Sequence, residues 1–179
     1  MKGVVYSVLA YEYDLQLGGN DFDRLIRDDV IKEYKEEAED KYGELSKRDI
    51  DKLLKKCEDA KIVLRALLEW DIVINDDIYW TYNLYLGHMN SLISDKIDES
   101  IRLCDNAIAR AGLAVKDIDA IVLAGGSSQL LIVEEKLRNH FPMLEIKHLV
   151  NPEECVAVGA AKYAHALSTG KYFVTPSHP

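Results

Sequence analysis

Residues 118–130 read Ile118-Asp119-Ala120-Ile121-Val122-Leu123-Ala124-Gly125-Gly126-Ser127-Ser128-Gln129-Leu130. Ile118 to Ala124 predicts a buried strand that runs straight into two glycines. The next helix carries Leu130, Val133, Leu137 and Phe141 on one face, and Pro142 ends it. Leu144 to Val150 predicts another strand. Asn151 is a good N-cap, Pro152 suits the first helical position, and Glu153 and Glu154 suit the helix's positive end. Strand, helix, strand, helix over so short a span implies an α/β fold with a mainly parallel sheet. Open sheets of this kind bind ligands beyond the carboxyl ends of their strands. Gly125 and Gly126 allow positive φ and close backbone approach, and the N–H groups at the following helix start can meet an anion or a ribose oxygen. A tight strand–helix turn with serine caps explains the same residues equally well. The stretch is neither a Walker A loop nor G-x-G-x-x-G.

Upstream, Val4 to Tyr13 predicts a strand, broken by Leu17-Gly18-Gly19. Asn20 or Asp21 can cap a helix with Phe22, Leu25, Ile26, Val30, Ile31 and Tyr34 on its apolar face, stopping by Gly43. A second helix starts near Ser46, with the stripe Ile50, Leu53, Leu54, Cys57, Leu64 and Leu68. Trp70 to Asn83 predicts a β-hairpin turning at Asp76-Asp77, and a long helix from about Met89 ends at Gly112. Cys155, Ala157, Gly159, Ala160 and Ala161 give the last helix a small face suited to close approach, and packing or ligand access is the expected reason for Gly159.

The 179 residues include 22 Lys and Arg against 31 Asp and Glu, a net charge of −9, with 48% apolar residues. That suits a chain able to bury its own core, and it leaves no basic surplus for nucleic acid or an anionic membrane. No apolar run approaches the roughly 20 residues of a membrane span, and no signal peptide opens the sequence, so a cytoplasmic location is expected. Cys57, Cys104 and Cys155 are odd in number and widely spaced, which fits a reducing compartment. The five histidines form no i, i+4 pair, so no metal site is expected.

Lys61 lies near the middle of the apolar stripe of the second helix. Either its stem snorkels to an edge, or its three donors point into a cleft and meet ribose hydroxyls or a carboxylate. Glu58, one turn earlier, would accept from the same hydroxyls. Asp14, Asp21 and Asp23 surround Gly18-Gly19. Helix capping accounts for one of them, and ligand or metal contact is the minority reading.

Four segments, in order, resemble the nucleotide-binding domain of the seventy-kilodalton heat-shock chaperones. They are Leu17-Gly18-Gly19-Asn20-Asp21-Phe22-Asp23, Cys57-Glu58-Asp59-Ala60-Lys61, Leu123 to Ser128, and Asn151 to Ala161. Ala111-Gly112-Leu113, with Asp117-Ile118-Asp119, also looks like the approach to that family's adenosine motif.

The resemblance implies the second lobe of an actin-like (ribonuclease H-like) ATPase domain. Residues 1–19 and 96–179 would form a mixed sheet flanked by helices, and residues 20–95 a smaller helical and hairpin lid. ATP or ADP is the implied cofactor, with Mg in the intact protein only. By resemblance Glu58 and Lys61 bond the ribose hydroxyls, Ile62 lies along the adenine, and Gly125, Gly126 and Ser127 line purine and sugar. Arg65 and Gln129 flank the base, and Glu153 sits behind it. Implied partners are the first lobe and substrate-binding domain of the intact protein, a nucleotide-exchange factor facing the lid, and a J-domain co-chaperone. The family's phosphate loops and catalytic groups lie upstream of Met1 in its pattern, so no catalytic residue is assigned and residues 1–179 alone are expected not to hydrolyse ATP.

The chain departs from the pattern in places. Gln129 stands where the family has an arginine that stacks on adenine, and Arg65 replaces a small serine near the base. Asn20, Leu131 and Leu86 replace a glutamate, a proline and an arginine. Two rivals therefore stand beside the main reading: a vestigial actin-like lobe acting as a nonenzymatic interaction module, and another actin-superfamily enzyme such as a sugar kinase.

Overall fold

The computed structural model describes residues 7–148, 151–152 and 154–169. The chain divides into two compact units, Leu15–Ile97 and Met1–Asp14 with Asp98–Pro179.

In the unit Leu15–Ile97, α1 spans Gly19–Glu37 and α3 spans Lys47–Val63, with the short α2, Glu39–Tyr42, between them. α1 begins earlier than Asn20 or Asp21 would cap it. Gly18 is the N-cap without a side-chain bond, and Asp21 instead lies in the first turn, where it pairs with Arg24 at 2.9 Å. Phe22, Ile26, Val30 and Tyr34 recur every four residues and are buried, the spacing of one helical face. Gly43, at φ +82°, closes α2, and the Tyr34 hydroxyl donates to its carbonyl at 2.8 Å. α3 is capped as the sequence predicts: Ser46 Oγ accepts from the Asp49 N–H at 3.2 Å and donates to the Asp49 carboxylate at 2.5 Å. The helix ends at Val63, so Leu68 falls beyond it and is exposed.

The hairpin forms, β1 (Glu69–Val73) antiparallel to β2 (Thr81–Tyr85) with Ile72 opposite Tyr82. Its connection is longer than an Asp76-Asp77 turn. Asn75 explains this, because its Oδ1 accepts the N–H groups of Asp77 at 2.9 Å and Ile78 at 3.0 Å and organises the loop by itself. Ile74 then joins Tyr34 and Ala38 in a buried cluster against which Trp80 and Ile78 pack.

α4, Leu86–Arg110, is followed by Gly112 at φ +70°, the predicted stop. In the second unit β3 (Ala120–Leu123) pairs in parallel with β4 (Glu145–His148), Ile121 opposite Ile146 and Leu123 opposite His148. Between them lie a 3₁₀ turn, Gly126–Gln129, and α5, Leu131–His140. Leu123, Leu130, Ile132, Leu137, Phe141 and Ile146 are buried. Among the described residues this sheet has two strands, smaller than the mixed sheet expected. Of the predicted strand Val4 to Tyr13, residues 4–6 lie outside the described residues, Ser7 forms a single β-bridge, and residues 8–13 are not a strand. Val8, Leu9, Tyr11 and Tyr13 are all exposed, whereas strand-forming side chains need a half-buried pleated surface.

α6 spans Cys155–Ser168 and starts three residues later than Pro152 at the first helical position would place it. The Pro152 carbonyl is turned instead toward the Gly125 N–H at 2.8 Å and the Cys155 thiol at 3.1 Å. The small face of α6 is not closely packed: Ala157, Gly159, Ala160 and Ala161 are exposed, and a Cβ on Gly159 would meet nothing within 4 Å. Among the described residues nothing packs on Gly159 closely enough to account for that glycine.

Candidate functional site

Two charged side chains among the described residues are buried, Asp23 and Lys61, and they meet. Lys61 Nζ lies 2.7 Å from Asp23 Oδ1, with 7% and 4% of the two side chains exposed. The same ammonium donates to the Gly19 carbonyl at 2.9 Å. Isolated charges in an apolar interior are prohibitive, so the pair neutralises each member while α1 and α3 close around it. Burial pushes the Asp23 carboxyl above its ordinary value, and the hydrogen bond and charge of Lys61 pull it back only in part. The lysine on the α3 stripe is thus neither snorkelling nor open to solvent; it has found a carboxylate. Asp23 neither caps α1 nor faces outward. The sign of this in the sequence was its position between Phe22 and Ile26 on the apolar face, a second charge on an apolar stripe to match Lys61.

Glu58 is separate from that pair. Its carboxylate is 42% exposed and meets Lys55 at 2.8 Å, an exchangeable surface contact. Ile62 is 42% exposed and Arg65 is half-buried. Cys57, on the buried face of α3, is fully enclosed, and burial pushes its thiol up to about 12.

In the second unit Gly125 takes φ +85°, a conformation that favours glycine, and a Cβ there would meet nothing within 4 Å. The backbone at the end of β3 therefore turns sharply with open space in front of it. Gly126, Ser127 and Gln129 lie half-buried in the 3₁₀ turn, and the Ser128 hydroxyl donates to the Gly125 carbonyl at 2.7 Å. The serine capping reading of this turn thus describes Ser128, and Ser127 carries no such bond to Gly125. The Gly125 N–H bond to Pro152 joins the Gly-Gly segment to the Asn151 segment, although 26 residues separate the two in sequence. Pro152 was not among the predicted residues, and nothing in its sequence context marks its carbonyl as a partner. Glu153 lies outside the described residues.

A groove of about 370 Å³, lined by Asp98, Ile101, Arg102, Lys136, Asn139 and His140, holds none of the predicted residues. Lys136 pairs there with Asp98 at 2.5 Å, and His140 meets Asp105 at 2.8 Å.

The four segments that resemble one family thus occur as two bonded pairs, Asp23 and Gly19 with Lys61, and Gly125 with Pro152. The family model described as Hsp70 protein matches residues 1–174. The chain belongs to the Hsp70 family. A heat shock cognate HSP70 protein of Trypanosoma brucei brucei is 30% identical over 174 residues, which is 95% of this chain and 26% of that protein. The chain therefore spans about a quarter of the length of this Hsp70 relative. The Hsp70 match crosses both units, and their α/β make-up with small sheets and flanking helices is consistent with the actin-like ATPase fold of the family. Among the described residues no helix is long and apolar enough to cross a membrane.

Proposed function

We propose that this chain supplies adenosine-contacting residues of a chaperone ATPase domain, together with a lid that faces a nucleotide-exchange factor. The observation that carries the reading is Gly125: a positive-φ glycine at the carboxyl end of a parallel strand, with open space where a Cβ would stand. A flat purine or a sugar can approach such a backbone closely, and the half-buried Ser127 adds a hydroxyl beside it. Glu58 has an accessible carboxylate suited to a ribose diol and Ile62 an exposed apolar face suited to a base, and Lys61 is assigned to the diol by the match of its position to the family's motif. Arg65 and Gln129 are assigned to the flanks of the base and Glu153 to its far side, by the match of their positions to the family's motifs. These residues fit adenosine in chemistry. ATP or ADP would bring Mg²⁺ on its phosphates, and no described residue is assigned to the metal.

The proposed role is binding and orientation in a cytoplasmic chaperone whose remaining parts would supply phosphoryl transfer and client binding. J-domain and exchange-factor partners belong to the same proposal. Photolabelling of residues 1–179 with 8-azido-ATP tests it. Adducts within residues 58–65 and 123–129, competed by ADP and accompanied by no phosphate release, are expected; label scattered over other surfaces, or appreciable turnover, contradicts it.

Gln129 favours a second reading, because the stacking guanidinium of the family is missing there. A lobe that has lost its nucleotide and kept a protein partner would be silent toward ADP.

A further inference from the structure

We infer that the cavity between α1, α2 and the start of α3 is a docking site for one arginine side chain of a partner protein. The stem of that arginine lies on an apolar floor and its guanidinium meets Glu39 and Glu44. The site holds none of the residues assigned to adenosine.

The cavity measures about 260 Å³. Its floor is Ile31 and Tyr34 from α1, Leu45 from the loop after α2, and Ile50 from α3; Lys35, Glu39 and Glu44 stand around it. The loop that carries Glu44 and Leu45 is tied at both ends. At its start the Tyr34 hydroxyl donates to the Gly43 carbonyl at 2.8 Å and the Gly43 N–H donates to the Glu39 carbonyl at 2.7 Å. At its end Ser46 caps α3. Leu45 itself packs on the buried cluster of Tyr34, Ala38 and Ile74. The cavity is therefore shaped before any partner arrives, which lowers the cost of binding.

Pockets for drug-sized ligands run about 300–1,000 Å³, so this one suits a single long side chain better than a cofactor. An apolar floor below a charged rim matches a side chain with an apolar stem and a charged head. Glu39 is half-buried and Glu44 exposed, and among the described residues neither carboxylate accepts a hydrogen bond or joins an ion pair. Lys35 is exposed, pairs with neither, and offsets one of the two charges, so the rim stays negative. Burial pushes the Tyr34 hydroxyl up, and the charges of Glu39 and Asp49 add to it, so the field at the floor also favours a cation. A neutral apolar occupant would strip water from Glu39 and return nothing. Arginine fits better than lysine, because its guanidinium sheds water more readily and its five donors can serve two carboxylates. The net charge of −9 adds long-range attraction for a basic partner.

The test is an NMR titration of residues 1–179, methyl-labelled at Ile and Leu, with acetyl-Gly-Arg-Gly-amide and with its uncharged citrulline counterpart. Saturable shifts at the methyls of Ile31, Leu45 and Ile50 are expected, with the citrulline peptide about tenfold weaker, the scale of one hydrogen-bonded charge. In the double variant Glu39→Gln, Glu44→Gln that preference is expected to fall below about twofold. Glu44→Gln alone, at an exposed position that leaves the fold intact, is expected to lower it to about threefold. Equal affinity for the two peptides overturns the inference, and so do full preference in the double variant and the absence of saturable shifts. Shifts spread as strongly over the rest of the acidic surface as at the three cavity residues would mean general attraction of cations and overturn it too.

Discussion

Lys61 Nζ and Asp23 Oδ1 stand 2.7 Å apart in the interior of the unit Leu15–Ile97, and each is the other's charged partner. Lys61→Met removes one charge and leaves the other buried, a change that typically costs about 3–5 kcal/mol. The double variant Asp23→Asn, Lys61→Met leaves no buried charge and is expected to recover most of that loss. Urea denaturation of the three proteins checks both statements. An additive double variant would mean that the two charges do not act together.

Gly125→Ala meets no atom, so its cost is that of the backbone alone. Placing an L side chain at φ +85° costs about 1–2 kcal/mol, and Gly125→Asn, which tolerates that region better, costs less. Ranking the three proteins by thermal midpoint tests this. Alanine at or above glycine would show that the turn does not hold its positive φ.

The acid limb of stability carries two opposite signs. The hydrogen bonds from Ser46 and Asn75 hold the Asp49 carboxyl below its ordinary value. The unfolded chain therefore binds that proton first as pH falls, and the stability Asp49 contributes, full above about pH 4, is lost as pH falls through its folded value. Asp23 is raised, so its contribution is present below the unfolded value and lost as pH rises through the folded one. Asp49→Asn is expected to lose stability at neutral pH and to converge on the unaltered protein toward pH 3. Urea midpoints between pH 3 and 7 measure it, and a gap that widens with acid would reverse the assignment.

Cys57 is fully buried and its thiol is pushed up to about 12, so almost none of it is thiolate at pH 8. Iodoacetamide at that pH is expected to leave Cys57 unmodified until denaturant opens the fold. Peptide mapping by mass reads the outcome directly, and native labelling of Cys57 would contradict the packing of α1 on α3.

Local signals in the sequence led to the helices because they are local effects in the structure too. Ser46 caps α3 and Gly112 follows the end of α4. Boundaries failed where a distant partner intervened. α6 starts late because the Pro152 carbonyl is drawn to Gly125, and the hairpin loop is long because Asn75 organises it. Periodicity put Lys61 on an apolar stripe but could not say what it meets, since Asp23 lies 38 positions away on another helix. The segment from Val8 to Tyr13 has strand composition without strand pairing, because β-propensity expresses neighbours that a linear reading does not contain.

Calorimetric titration of ADP into residues 1–179 tests the central claim most directly. The account predicts saturable one-to-one binding with a matching rise in thermal midpoint, as for any ligand that binds only the folded chain. No heat and no shift at millimolar ADP would contradict it.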